Sequence, residues 1–198
     1  MVMTMTKPIE ADPGDTWTYL LRAWQETDMP EGWRAEIREE GIVLVPPPGG
    51  PHNSIAYQIQ KQLTFKIPDD WEIYQTLGMG MPSQERLRIP DLVVAPRAAV
   101  PMTQTAEPLS PGDARLVVEI VSPSSRRDDR VAKRDEYARA EVPLYLLVDP
   151  FDGQGTTTLF ANPRQGAYAD SHRAAFGEPV ELPKPFDMKL DTSGFPAP

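Results

Sequence analysis

Arg115-Leu-Val-Val-Glu-Ile-Val-Ser-Pro-Ser-Ser-Arg-Arg-Asp-Asp-Arg-Val-Ala-Lys133 is the stretch on which the fold turns. It reads as a buried strand, a Ser-Pro turn and a charged helix. Strand side chains alternate, so Leu116, Val118 and Ile120 share one face and Val117, Glu119 and Val121 the other. Glu119 thus projects from an apolar row. A carboxylate in that place is paired, metal-bound or protonated, because an isolated buried charge is too costly.

Outward from this strand, the apolar runs Leu92 to Ala95 and Leu144 to Val148 have the continuous character of strands covered on both faces. Leu87 to Val94 holds a strand that starts at Ile89-Pro90-Asp91, and Gly78 to Pro82 breaks the pattern before it. Trp71 to Leu77 predicts a strand. Trp33 to Arg38 and Ile42 to Val45 predict a hairpin around Glu39-Glu40-Gly41. Asp15 to Thr27 predicts a helix capped by Asp15, with Trp17, Leu20, Leu21 and Trp24 at helical spacing. Pro51 to Ile67 predicts another, with Ile55, Ile59 and Leu63 on one stripe and Pro51 in its first turn. A third runs from about Arg126 to Ala140. Thr156 to Pro185 reads as a hairpin turning near Gly166, plus a short extended piece. The expected fold is α/β (α+β): a mixed β-sheet flanked by helices. The chain reads as one domain, 1–198, with 1–29 a helical extension and 186–198 a weakly specified tail.

Composition narrows the function classes. The apolar fraction of 40% supports a real core, and no apolar run reaches membrane-span length, so no membrane partner is expected. Met1 to Pro13 lacks the basic-then-apolar pattern of a secretory signal. There is no cysteine, which excludes disulfide and thiolate chemistry and makes a cytoplasmic location the default. With only His52 and His172, a histidine-rich zinc site is not expected, and carboxylate-held magnesium, manganese or calcium is. The net charge of -9 opposes a nucleic-acid partner unless basic groups gather locally. They do so between Arg115 and Arg139, where seven basic residues face five acidic ones. The 23 prolines, against an average usage of about 5%, read as rigid connections.

Asp91 opens one buried strand, Glu119 lies inside the next, and Lys133 lies on the helix after it. Two carboxylates and a backbone carbonyl can hold a hard cation that keeps some waters, and a lysine would add a donor for a developing anion. Each residue also has a plainer reading: Asp91 bonded to backbone donors, Glu119 paired with a basic side chain, Lys133 bridged to Asp129. Asp129, Lys133 and Tyr137 share one helix stripe. Arg126, Arg130 and Arg134 share another, which is either a solvated face or a nucleic-acid contact. Ser125 and Asp128 have capping-box spacing.

Ile89-Pro90-Asp91, Leu116-Val-Val-Glu-Ile-Val-Ser-Pro-Ser124, Asp129-Arg130-Val-Ala-Lys133, Tyr137 and Val142-Pro143-Leu-Tyr-Leu-Leu-Val-Asp149-Pro150 together resemble the Uma-type family of endonucleases. That family belongs to the PD-(D/E)XK restriction-endonuclease-like superfamily. Ala35-Glu36-Ile37 and His52 resemble its N-terminal pattern. The resemblance spans roughly residues 30 to 185. It implies a restriction-endonuclease-like fold and an endonuclease dependent on Mg²⁺ (or Mn²⁺) that hydrolyses phosphodiester bonds of nucleic acid, DNA first. The catalytic residues would be Asp91, Glu119 and Lys133. The metal ligands would be Asp91, Glu119, the Ile120 carbonyl and Glu36, with His52, Asp129 and Tyr137 as neighbours. It also implies a homodimer for symmetric cutting. Where the superfamily pattern has a lysine two residues after the strand glutamate, this chain has Val121; the helix lysine, Lys133, would replace it. Val121 and the low pI also motivate a second reading, a catalytically inactive binding or assembly module on the same fold.

Overall fold

The computed structural model describes residues 16–103 and 106–196. The elements in chain order are α1 (Thr16–Gln25), β1 (Arg34–Arg38), β2 (Gly41–Val45), α2 (Gly50–Thr64), β3 (Trp71–Tyr74), β4 (Met79–Met81), β5 (Arg86–Arg88), β6 (Leu92–Pro96) and β7 (Leu116–Ile120). A π-helical turn at Asp128–Lys133 then leads into α3 (Arg134–Arg139), followed by β8 (Leu144–Asp149), β9 (Thr156–Arg164), β10 (Ala167–Ala175), β11 (Val180–Leu182) and β12 (Met188–Leu190). A six-stranded sheet has the order β10-β9-β8-β7-β6-β3. Its one parallel pair is β7 with β8, joined by the helix between them, as a parallel connection requires. A four-stranded sheet, β2-β1-β5-β4, and the pair β11-β12 stand beside it.

The apolar runs become β6, β7 and β8, buried along almost their whole lengths. Their alternation builds two cores. Leu92, Val94, Leu116, Val118 and Ile120 meet Ile55, Ile59 and Leu63 of α2 on one side. Val93, Ala95, Val117 and Val121 meet Tyr137 and Tyr145 on the other. Trp17, Leu20, Leu21 and Trp24 of α1 cover Ile37 and Leu87 of the smaller sheet, and the Trp24 indole donates to the Ala35 carbonyl at 2.6 Å. No helix among the described residues is long and apolar enough to cross a membrane.

The structure departs from the sequence reading in three places. Gly78 to Pro82 is not a break: Met79–Met81 forms β4, paired with β5. Gly80 is needed there because a Cβ would lie 2.8 Å from Pro108 Cγ. The strand expected over Leu87 to Val94 is two strands in different sheets, and Ile89-Pro90-Asp91 carries the chain between them. Proline suits that handover because it cannot donate to a ladder. The tail after Asp187 contributes β12, and Phe186, Met188, Leu190 and Phe195 close the α2-side core. Asp15, the expected cap of α1, lies outside the described residues.

Register sets the two key carboxylates side by side. Leu92 pairs with Val118 and Val93 with Val117 in antiparallel register. Continued by one residue, that register brings Asp91 opposite Glu119. Helix α2 holds this pairing in place from above through Ile59, which is fully buried. Ile59→Ala is expected to lower the unfolding free energy by about 2–5 kcal/mol, whereas Phe65→Ala, at an 80% exposed position, should change it by no more than about 0.5 kcal/mol. Urea unfolding of the two variants checks the contrast.

Candidate active site

Asp91 is fixed from two directions. Its Oδ2 accepts the Ile120 amide hydrogen at 2.8 Å and lies 3.0 Å from His52 Nε2. The Ile120 bond ties the start of β6 to the end of β7, and His52 arrives on the first turn of α2, just after Pro51. Burial pushes the Asp91 carboxyl up, but His52, the Lys133 ammonium and the Ile120 amide outweigh it and hold its pKa below the ordinary range. An ionised Asp91 accepts a hydrogen bond from His52 Nε2, and His52 Nδ1 is buried with no hydrogen-bond partner among the described residues.

Glu119 lies on the face of β7 roofed by the following helix. Its Oε2 accepts Lys133 Nζ at 2.7 Å and its Oε1 the Tyr137 hydroxyl at 2.6 Å. Lys133 Nζ is also 2.9 Å from Asp129 Oδ1 and 4.0 Å from Glu36 Oε1. Burial pushes Glu119 up to about 8; Lys133 opposes this, and Asp91, Asp129 and Glu36 add to it. Burial lowers Lys133, yet Asp129, Glu119 and Glu36 raise it well above its ordinary value, so the ammonium keeps its proton. The plainer readings are thus realised along with the convergence: Asp91 does bond a backbone amide, and Lys133 does bridge Asp129.

Behind this group sits Arg88, almost wholly buried. Its Nε donates to Glu136 Oε2 at 2.7 Å, Nη1 to Glu36 and Asp128 at 3.1 and 3.0 Å, and Nη2 to Asp128 and Glu136 at 3.1 and 3.0 Å. These five bonds account for all five guanidinium hydrogens. Glu36 in turn accepts Arg38 Nε at 2.9 Å and the Ile89 amide at 3.2 Å. Burial raises its pKa, but Lys133, Arg88, Arg38 and the Ile89 amide bring it to about 2. Both oxygens of Glu36 are therefore occupied by hydrogen-bond donors. The capping box expected from Ser125 and Asp128 does not form, because Arg88 captures Asp128. The Ser125 hydroxyl instead bonds the Asp129 carboxylate and receives the Ser122 amide.

A cleft of about 350 Å³ opens onto these groups, lined by Glu36, His52, Asp91, Glu119, Asp129 and Lys133 among others. The structure therefore brings Asp91, Glu119, Ile120, Glu36, His52, Asp129 and Lys133 to one cavity, with Tyr137 bonded behind Glu119. It does not bring Arg126, Arg130 and Arg134 there. Arg126 lies over the Phe151 ring, Arg130 pairs with Asp149 at 2.6 Å, and Arg134 pairs with Asp135 at 2.8 Å. Sequence reading missed Arg88 and its pairing with Glu36, Asp128 and Glu136. The visible signal was Arg88 facing inward in Arg86-Leu87-Arg88; its carboxylate partners come from positions far away in the chain.

A mixed sheet covered by helices, with carboxylates at the mouth of adjacent central strands, defines the restriction-endonuclease-like class. A crystal structure described as that of "a putative nuclease belonging to DUF820" from Anabaena variabilis superposes with a TM-score of 0.66 at 17% sequence identity, covering 88% of this chain and 96% of that one. Over residues 19–193 the chain matches Uma2, described as "Putative restriction endonuclease"; the protein belongs to the Uma2 family. A search of curated proteins found none that matches.

Nucleases of this class generally use divalent metals. The residues present suit one. Asp91, Glu119 and the Ile120 carbonyl are hard oxygen donors, and the buried excess of carboxylate that raises Glu119 is what a cation would relieve. Among the described residues, no three His, Asp or Glu side chains converge closely enough to cage an ion alone. Magnesium does not need such a cage, since it keeps several waters and takes other ligands from phosphate.

Two outcomes are expected. Arg88→Met leaves Glu36, Asp128 and Glu136 without their common cation and should cost about 3–5 kcal/mol in chemical unfolding. For Glu119, the folded pKa of about 8 exceeds the ordinary 4.5. Its contribution to stability is complete below about 4.5 and is lost as pH rises through 8. In metal-free buffer the melting temperature should therefore decline over that window and decline less in Glu119→Gln. Parallel curves for the two proteins would show the opposite.

Proposed function

We propose that the protein is a divalent-metal-dependent endonuclease that hydrolyses phosphodiester bonds of nucleic acid, with Mg²⁺ or Mn²⁺ held by Asp91, Glu119 and the Ile120 carbonyl. The single observation that carries this reading is the 2.7 Å contact between Lys133 Nζ and Glu119 in the cleft that Asp91 also lines. The strand position of the usual lysine is filled by Val121, buried among Tyr137, Tyr145 and Leu147. Lys133 delivers an ammonium to Glu119 from the helix instead.

A bound metal would lower the pKa of an attacking water and neutralise the charge that builds on the phosphoryl oxygens. The protein's own groups do the rest. Lys133, held protonated by three carboxylates, is a fixed donor for the developing anion. Tyr137 orients Glu119 from behind, and His52 with the Ile120 amide orients Asp91, so neither carboxylate must reorganise. Glu36, with its oxygens taken by Arg38, Arg88 and the Ile89 amide, positions Lys133 in this reading. The same reading has two copies of the chain acting together on a duplex, which light scattering can measure. The rival, an inactive binding module, draws on the same Lys133 contacts read as purely structural.

Cleavage assays with duplex DNA, single-stranded DNA and RNA in Mg²⁺ and in Mn²⁺ decide between them. Asp91→Asn and Glu119→Gln should abolish cutting and metal binding by calorimetry. Lys133→Met should slow cutting by about 10²–10³-fold while metal still binds. Wild-type protein that binds neither metal, or cutting that persists in Glu119→Gln, points to the inactive module.

A further inference from the structure

We propose that Arg34 is a substrate-binding residue that takes the backbone phosphate next to the scissile one. The inference rests on the nuclease reading and adds to it the group that grips the strand.

Three arginines from β1 and β5 approach the cleft, and they differ in how many of their donors are already used. Arg88 has none to spare, as all five hydrogens are bonded. Arg38 is committed as well: Nε and Nη2 face Glu36 at 2.9 and 2.8 Å, and Nη1 faces Asp128 at 3.3 Å. Lys133 is enclosed by carboxylates. Arg34 alone is loosely held. Among the described residues its hydrogen bonds are those from Nη1 to the Ile89 carbonyl and to Asp91 Oδ1, each at 3.5 Å, the long limit for such a bond. Among the described residues its Nε and Nη2 have no hydrogen-bond acceptor. Yet its side chain is only 17% exposed. These two nitrogens keep contact with solvent in the cleft, so they can exchange water for a ligand, and the planar fork of the guanidinium matches two phosphate oxygens.

Its position indicates which phosphate. A second recess of about 170 Å³, lined by Gly32, Asn53, Gln75 and Thr76 among others, adjoins the main cleft. The two share Arg34, Pro48, His52 and Asp91. A strand running from one recess to the other crosses Arg34 immediately beside Asp91. A polyanion also answers the electrostatic difficulty of the site, since the chain as a whole carries a charge of -9 and needs a local cation at the point of approach.

The test is binding of a fluorescein-labelled DNA duplex in calcium buffer, followed by anisotropy from low to moderate salt. Arg34→Ala should weaken binding about tenfold at low salt and lower the salt slope by about 0.9, the loss of one phosphate contact. Arg34→Lys should keep the slope, because the charge remains, while recovering only part of the affinity. The melting temperature should be the same in all three proteins. Wild-type affinity and slope in Arg34→Ala overturn the assignment, and so does a lowered melting temperature that Arg34→Lys fails to restore. A wild-type protein that binds neither this duplex nor labelled single-stranded DNA or RNA of the same sequence overturns the nuclease reading itself, and this inference with it.

Discussion

The structure depends on one buried guanidinium. Arg88 sits where the smaller sheet, the π turn and α3 meet, and it joins them through Glu36, Asp128 and Glu136. An arginine in such a place is costly to desolvate, and only full hydrogen bonding in good geometry offsets the cost. The partner carboxylates come from β1, the π turn and α3. The arrangement gives a local, polar reason for β1, β5 and the helix after β7, which are distant in sequence, to meet at one point.

The site grows from that point by alternating charge. Arg88 and Arg38 hold Glu36; Glu36, Asp129 and Glu119 surround Lys133; Glu119 lies across from Asp91; Asp91 holds His52 and faces Arg34. Opposite charges alternate through most of this series, but the carboxylates Glu119 and Asp91 are neighbours in it. Asp91 is held below the ordinary carboxylate range and Glu119 well above it. Two like groups in adjacent strands are thus driven apart in acidity by their surroundings.

Much of the fold was legible in the sequence because its central strands are apolar without interruption and its helices are amphipathic. Local pattern also singled out Asp91 and Glu119, which the fold brings to one cleft, since a carboxylate in an apolar strand violates its own context. What local pattern could not show was partnership. Nothing near Arg88 in sequence indicates that it will be buried, because its partners lie some 40–50 residues away on either side. The same blindness assigned Ser125 and Asp128 to each other as a cap, when Arg88 outcompetes that weaker local bond. The Met79–Met81 strand was hidden because its glycine is required by Pro108, a contact that only the tertiary fold creates.

The π turn at Asp128–Lys133 can be understood as a phase adjustment. In a regular α-helix, residues eight apart, such as Asp128 and Glu136, point about 80° away from each other. A π turn accommodates one additional residue, which reduces the separation to about 20°. Asp128 and Glu136 can then close on a single guanidinium from positions two turns apart. Asp129 and Tyr137, also eight apart, can both attend the Lys133–Glu119 pair. One residue of extra winding thus sorts a single helix into two functional edges, one gripping the scaffold and one facing the cleft.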